Sequence, residues 1–286
     1  MNAASGTNRD AHPRLPMPPL ALLLGGRATR LYPLTEQCPK ALIPIAGEPF
    51  LAYQLRWLEG QGITQLVLCC GHLSEPIRSF AGDGSRFGVK IRYSEDGPQG
   101  YAQDQAPLLG TGGAVDKALP LLGECFAVLY GDTLLTAPLA PIWQSFLERR
   151  PGAMMTVLKN HDRWDQSNVA IEDGWVKRYQ KGAAQQENTA QGEADRAGLT
   201  SIDYGFSLFD AAVFARSSAR TMARRGAAAK APFDLGQVFC DLIARRELAA
   251  CEVEGRFYEM GSPAGLQETE AMLRREPWGA NKAGCA

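Results

Sequence analysis

The chain has 286 residues, 45% of them hydrophobic, enough for one large core or a core with a small annex and too few for two full-sized domains. A net charge of −1, from 30 Lys and Arg against 31 Asp and Glu, supplies no global field for nucleic acid or an anionic membrane, and neither is an expected partner. Seven cysteines without C-x-x-C spacing and three scattered histidines argue against a zinc site and for buried thiols in a reducing, cytoplasmic compartment.

Residues 1–19 are polar and then Pro-rich and read as a disordered leader. A signal peptide is not expected, because the following apolar run is short and ends in Gly-Gly. That run, Leu20 to Leu24, suits a buried parallel strand. It empties into Gly25 and Gly26, with Thr29, Arg30 and Lys40 close behind. Such a loop can present backbone N–H groups to phosphate, although a Gly-Gly after a strand is by itself more often a turn. Pro49 sits at a helix start, and Leu51, Leu55 and Leu58 repeat at helical spacing before Gly60 and Gly62. A strand from Gln65 to Cys70, a weaker helix from Leu73 to Phe80 and a strand from Val89 to Tyr93 complete a βαβαβ beginning. After a polar loop, Leu109-Gly110-Thr111-Gly112-Gly113-Ala114 opens a helix whose positive end faces the sheet edge. Phe126 to Tyr130 is another buried strand, and Asp132 follows it on the edge where open α/β sheets bind ligands; a turn or N-cap Asp is the competing reading.

The second half changes character. Ala153 to Leu158 reads as a core strand, and 168–173 with 175–179 as a hairpin turning at Asp173-Gly174. Residues 182–198 are polar and expected to be mobile. Ser201 to Phe209 returns to strand, Asp210 to Met222 to helix, and Asp234 caps a helix through Leu242. A short strand, Phe257 to Met260, precedes Gly261-Ser262-Pro263 and a last helix ending near Leu273. No solenoid repeat is present.

The run GGRATRLYPLTEQCPKALIPIAGEPFL closely resembles the signature loop of sugar-1-phosphate nucleotidyltransferases, which make nucleotide sugars from an NTP and a sugar 1-phosphate. The resemblance continues through LLGTGGAVDKALPLL and LYGD and, more loosely, through SIDYGFSLF and FYEMGSPAGL. The LGTGGA form looks most like heptose-1-phosphate and mannose-1-phosphate guanylyltransferases, while GDGSRFG followed by IRYS is shared with a uridylyltransferase acting on N-acetylmuramate 1-phosphate. The resemblance implies a mixed, mostly parallel Rossmann-like sheet flanked by helices, of the glycosyltransferase-A-like kind, without a C-terminal β-helix. It implies one nucleotidyltransferase domain over 20–275, with a nucleotide half 20–135, a sugar-phosphate half 136–275 and a tail 276–286.

Carried over by residue, it implies that Leu24, Gly25, Gly26 and Thr29 hold the nucleotide phosphates and that Gly112 and Gly113 line base and ribose. Arg30 would contact the β- and γ-phosphates, and Lys40 the α-phosphate. Asp132 and Glu259 match the carboxylates that bind Mg²⁺. Asn168, Lys181, Asp203, Tyr204 and Gly205 fall on sugar-phosphate positions. The chain departs from the family's usual pattern at Ala28 (Gly), Glu259 (Asp) and Glu48 (often Lys), and in a longer loop over 98–107. The expected reaction is nucleotidyl transfer, with GTP and D-glycero-D-manno-heptose 1-phosphate or mannose 1-phosphate preferred. A UTP or dTTP enzyme and a catalytically weak nucleotide-sugar-binding regulatory paralogue are the alternatives. The partners expected are the two small-molecule substrates, with a homodimer as a further candidate.

Overall fold

The apolar strands are apolar throughout because both of their faces are covered. In β1 (Leu20–Leu23), Leu20 and Leu22 pack into one layer while Ala21 and Leu23 pack into the other. The computed structural model describes residues 16–26, 29–36, 38–71, 73–97, 108–180, 198–226 and 231–275. The leader through residue 15, Ala28, the 98–107 loop, Lys181, most of the polar 182–198 stretch and the tail lie outside the described residues.

The remaining strands are β2 (Pro44–Ile45), β3 (Glu48–Pro49), β4 (Gln65–Cys70), β5 (Lys90–Glu95), β6 (Cys125–Tyr130), β7 (Thr133–Leu134) and β8 (Ala153–Lys159), followed by β9 (Val169–Glu172), β10 (Trp175–Tyr179), β11 (Ser201–Asp210), β12 (Leu248–Val253) and β13 (Tyr258–Glu259). The helices are α1 (Phe50–Gly60), α2 (Ser74–Ala81), α3 (Gly110–Ala118), α4 (Leu139–Arg149), α5 (Ala211–Arg224), α6 (Leu235–Ala244) and α7 (Pro263–Arg275). Among the described residues no helix is long and apolar enough to cross a membrane.

Nine strands form one sheet in the order β5-β4-β1-β6-β11-β8-β12-β10-β9. The first four are mutually parallel. Beyond β6 the expectation of a mostly parallel sheet fails. Strand β11 runs antiparallel to β6 and β8, β12 is parallel to β8, and β10 is antiparallel to both β12 and β9. Ser201 of β11 also pairs with Val169 of β9, closing β11, β8, β12, β10 and β9 into a small barrel-like ring. The cause is connectivity. Helical crossovers return the chain in parallel in the first half, whereas the β9–β10 hairpin turns back directly through Asp173 (φ 51) and Gly174 (φ 75), the backbone signs of a type I′ turn.

Helices α1 and α4 cover one face of the sheet, through Leu51, Leu55 and Leu58 and through Leu139, Ile142, Trp143 and Phe146. Helices α3, α5 and α6 cover the other, with Val115, Phe214, Val238 and Phe239 at 0% exposure. Each such side chain contributes about 1.5–3 kcal/mol of transfer free energy. Helix α6 starts with the expected Asp234 cap, completed by Gln237 as a capping box. Strand β12 and helix α4 are additions to the sequence reading. A third, smaller cluster joins Leu31, Ile43, Ile45 and Phe50 to Leu134, Met260, Met272 and Leu273, clamping the loop after β1 onto β7, β13 and α7.

Candidate active site

The carboxyl ends of β5, β4, β1 and β6 lie side by side, and the loops leaving them form the site. Leu24 is buried and continues β1 by donating its N–H to the Cys69 carbonyl at 2.9 Å. A Cβ at Gly25 would stand 3.2 Å from the Gly71 nitrogen and 3.5 Å from Asp96 Oδ2, so glycine there lets two loops touch; Gly26 faces open space. Thr29 opens the short turn Thr29–Leu31, and Arg30 is exposed.

Lys40 begins a 3-10 turn and donates from Nζ to Asp132 Oδ2 at 2.7 Å. Asp132 lies in the turn between β6 and β7, and its Oδ1 accepts the Thr133 hydroxyl at 3.2 Å. Strand β7 pairs antiparallel with β13, setting Glu259 opposite Thr133, and the Met260 N–H donates to the Asp132 carbonyl at 2.8 Å. One ladder thus brings together two acids far apart in the chain. The Glu259 carboxylate accepts the Gly261 N–H and, at 2.9 Å, the Ser262 hydroxyl, where α7 begins. A Cβ on Gly261 would lie 3.6 Å from Lys40 Nζ, so the ammonium reaches the turn that Glu259 holds.

These two carboxylates fit a hard divalent cation. Mg²⁺ takes one or two carboxylates and completes its shell with water and substrate phosphate, and each carboxylate here keeps lone pairs beyond those its protein partners use. A full protein cage is not present: no cluster of three or more His, Cys, Asp or Glu suited to a metal occurs among the described residues.

Among the residues expected at the sugar phosphate, Asn168 Oδ1 accepts the Asp203 N–H and Asp203 Oδ1 accepts the Gly205 N–H, both at 2.9 Å. Gly205 (φ +92) lies in the stretch where the β11–β8 register shifts, and a Cβ there would stand 3.4 Å from both Tyr130 and Thr133. This irregularity sets Asp203 and Gly205 against the Asp132 loop, joining the two halves of the site. Tyr204 is a correction. Side chains alternate along a strand, so Tyr204 points to the opposite face, is 1% exposed, and its hydroxyl accepts the Thr136 and Ala137 N–H groups at 3.1 Å. Lys181 lies outside the described residues.

Gly112 and Gly113, expected to line base and ribose, sit in the first turn of α3. Their N–H groups donate to the Phe233 carbonyl at 3.0 and 3.2 Å, and the Phe233 ring covers Gly112. Both amides are therefore spent on joining α3 to the segment before α6.

Three further residues were not singled out from sequence. Asp96 follows β5 as Asp132 follows β6; its Oδ2 accepts the Leu109 N–H at 3.2 Å beside Gly25 and Gly71, and burial raises its pKa. The acid just past a parallel strand was the signal for it. Tyr130 and Tyr179 share a hydrogen bond close to Asp203, and burial followed by the Asp203 charge pushes both hydroxyls well above the usual range, so they stay neutral.

A parallel sheet edge bearing a glycine loop, a lysine and two carboxylates defines a phosphate-handling α/β enzyme-like site. The chain belongs to the nucleotidyl transferase family, whose model matches residues 21–170. It is 39% identical over 114 residues to the N-acetylmuramate alpha-1-phosphate uridylyltransferase of Neisseria meningitidis serogroup B, covering 40% of this chain and 46% of that one. Against the D-glycero-alpha-D-manno-heptose 1-phosphate guanylyltransferase of Campylobacter jejuni the identity is 31% over 152 residues, covering 53% and 63%. The chain thus spans about half the length of the curated relatives it matches. Among solved structures, HddC from Yersinia pseudotuberculosis complexed with GMP-PN superposes with a TM-score of 0.66 at 19% identity over 90% of this chain and 100% of that one, a likeness of fold.

Proposed function

We propose that this protein transfers a nucleotidyl group from an NTP to a sugar 1-phosphate, releasing pyrophosphate. A sugar-phosphate oxygen forms a bond to the α-phosphorus as the bond from that phosphorus to the α,β-bridging oxygen breaks, and pyrophosphate leaves with the electron pair. Such an in-line exchange needs no protein nucleophile; it needs two anions aligned and their charge offset. The observation that carries the reading is the 2.7 Å contact between Lys40 of the glycine-loop segment and Asp132 at the end of β6, with Glu259 paired alongside.

In this reading Leu24, Gly25, Gly26 and Thr29 hold the NTP phosphates, Arg30 grips the β- and γ-phosphates with its bidentate fork, and Lys40 places its compact charge on the α-phosphate. Mg²⁺ held by Asp132 and Glu259 would supply further neutralisation between the reacting phosphates. Asn168, Asp203, Gly205 and Lys181 receive the sugar phosphate, so residues 20–135 serve the nucleotide and 136–275 the sugar.

We favour GTP with a manno-configured heptose or hexose 1-phosphate, supported by the LGTGGA sequence and the Campylobacter jejuni relative. A UTP-dependent reaction is the second reading, supported by the Neisseria meningitidis relative. Pyrophosphate release measured with Mg²⁺ over a panel of NTPs and sugar 1-phosphates tests both. Release with GTP and a manno-configured sugar phosphate is expected, release with UTP alone selects the second reading, and silence with every pair overturns the proposed activity.

A further inference from the structure

The buried face of helix α1 is otherwise apolar, with Phe50, Leu51, Leu55 and Leu58 at 0% exposure, yet Gln54 on the same face is also 0% exposed. Burying a primary amide is costly unless its polar atoms find partners. Here the amide is only half satisfied. Its Nε2 donates to the Thr133 carbonyl at 2.8 Å and to the Tyr130 carbonyl at 3.4 Å, while Oε1 has no hydrogen-bond partner among the described residues. A leucine or methionine would fill this space without burying an amide oxygen but would take the donor away from the Thr133 and Tyr130 carbonyls, so the glutamine is explained by those carbonyls and not by packing.

What the amide holds is the turn that carries Asp132. Tyr130 and Thr133 bracket Gly131 and Asp132, so the two bonds pin that turn from the α1 side. On another side the Gly131 N–H donates to the Leu23 carbonyl at 3.0 Å, with no room there for a Cβ, and Met260 holds the Asp132 carbonyl. Helix α1 directly follows the segment bearing Lys40, and the Phe50 N–H is tied to the Ile43 carbonyl at 3.2 Å. One side chain therefore couples the two segments whose charged ends meet at 2.7 Å.

We infer that Gln54 is a positioning residue: its buried amide fixes the 130–133 turn so that the Asp132 carboxylate stands at the working distance from Lys40 and from a divalent cation. The inference rests on the proposed function for its kinetic consequence, but the cation contact can be read without turnover.

The test is Gln54→Met, which keeps the volume and removes the donor, alongside Gln54→Asn, which keeps an amide and withdraws it by one methylene. Mn²⁺ binding to the nucleotide-free protein, followed by electron paramagnetic resonance, is expected to weaken about 10–100-fold in both variants. Pyrophosphate release is expected to show a matching fall in kcat and a higher Mg²⁺ requirement, with KM for the NTP little changed, beside a fall of a few degrees in melting temperature as the Thr133 carbonyl loses its donor. A merely structural role would lower the melting temperature in the same way but leave metal affinity per folded molecule alone. Parental Mn²⁺ affinity in either folded variant overturns the inference. If the parent binds Mn²⁺ and the variants do not, yet no NTP pair releases pyrophosphate, the inference stands and the proposed activity falls.

Discussion

Asp132→Asn removes one charge and almost no volume, so it separates the electrostatic role of this acid from its place in the fold. At 2.7 Å and an effective dielectric constant of about 20, the Lys40–Asp132 pair has a gross attraction of about 6 kcal/mol. Asp132 is 38% exposed and Lys40 16%, and screening, desolvation and side-chain ordering offset most of that. A net contribution of about 1 kcal/mol to stability remains, equivalent to a loss of about 2–4 °C in melting temperature for a domain of this size. Turnover responds on another scale, because in the proposed reading Asp132 orients the α-phosphate lysine and would hold the divalent cation, and losing such charge neutralisation costs about 3–4 kcal/mol of barrier, or about 10²–10³ in kcat. Pyrophosphate release and differential scanning fluorimetry on one preparation measure both quantities. Turnover within about threefold of the parent would refute the role given to Asp132. A melting temperature lower by much more than the few degrees above would show that the charge supports the fold and that the activity loss says nothing of chemistry.

Gly112→Ala is expected to destabilise by about 1–3 kcal/mol, since the new methyl would lie 2.6 Å from Phe233 ring carbons and 2.9 Å from the Asp234 carbonyl carbon, and urea denaturation measures it. Asp96→Asn is expected to raise the melting temperature near neutral pH. Burial raises the Asp96 pKa above its unfolded value, so the contribution of this group is fully present below the unfolded pKa and lost as pH rises through the folded one. The advantage of the amide should therefore shrink as pH falls toward the ordinary carboxylate range; an advantage that is flat with pH would contradict this account.

The first half of the chain was legible in the sequence because its signals are local. Leu20–Leu23, Gln65–Cys70 and Phe126–Leu129 are apolar on both faces, as a sheet covered by helices on both sides requires. Asp173-Gly174 specified its own turn, and Asp234 with Gln237 its own cap. Helix α4 was legible too, with Leu139, Ile142, Trp143 and Phe146 at helical spacing, and was passed over. Strand β12, LAACEV, carries little β-branched content and is a strand because β8 and β10 flank it.

Tyr204 shows where a motif misleads. It shares a sequence block with Asp203 and Gly205, but strand alternation aims it at the core, and period-two reading alone could have separated it. Gln54 was not singled out from sequence, although a polar residue at a core position three after Leu51 is a signal of the same kind. The reason for it, however, lies in the Tyr130 and Thr133 carbonyls supplied from across the fold.

The sequence by itself determined which chemistry-bearing residues the chain owns and which strands would carry them, since short-range periodicity and glycine placement are local properties. Only the tertiary structure decided which of them meet. The pairing of β7 with β13 sets Glu259 beside Asp132, the β11 irregularity turns Asp203 toward the same loop, and the Phe233 carbonyl takes the glycine amides that had looked free for a ligand. Those contacts depend on strand order and register, which arise from burying every strand face at once and are written in no single stretch of the chain.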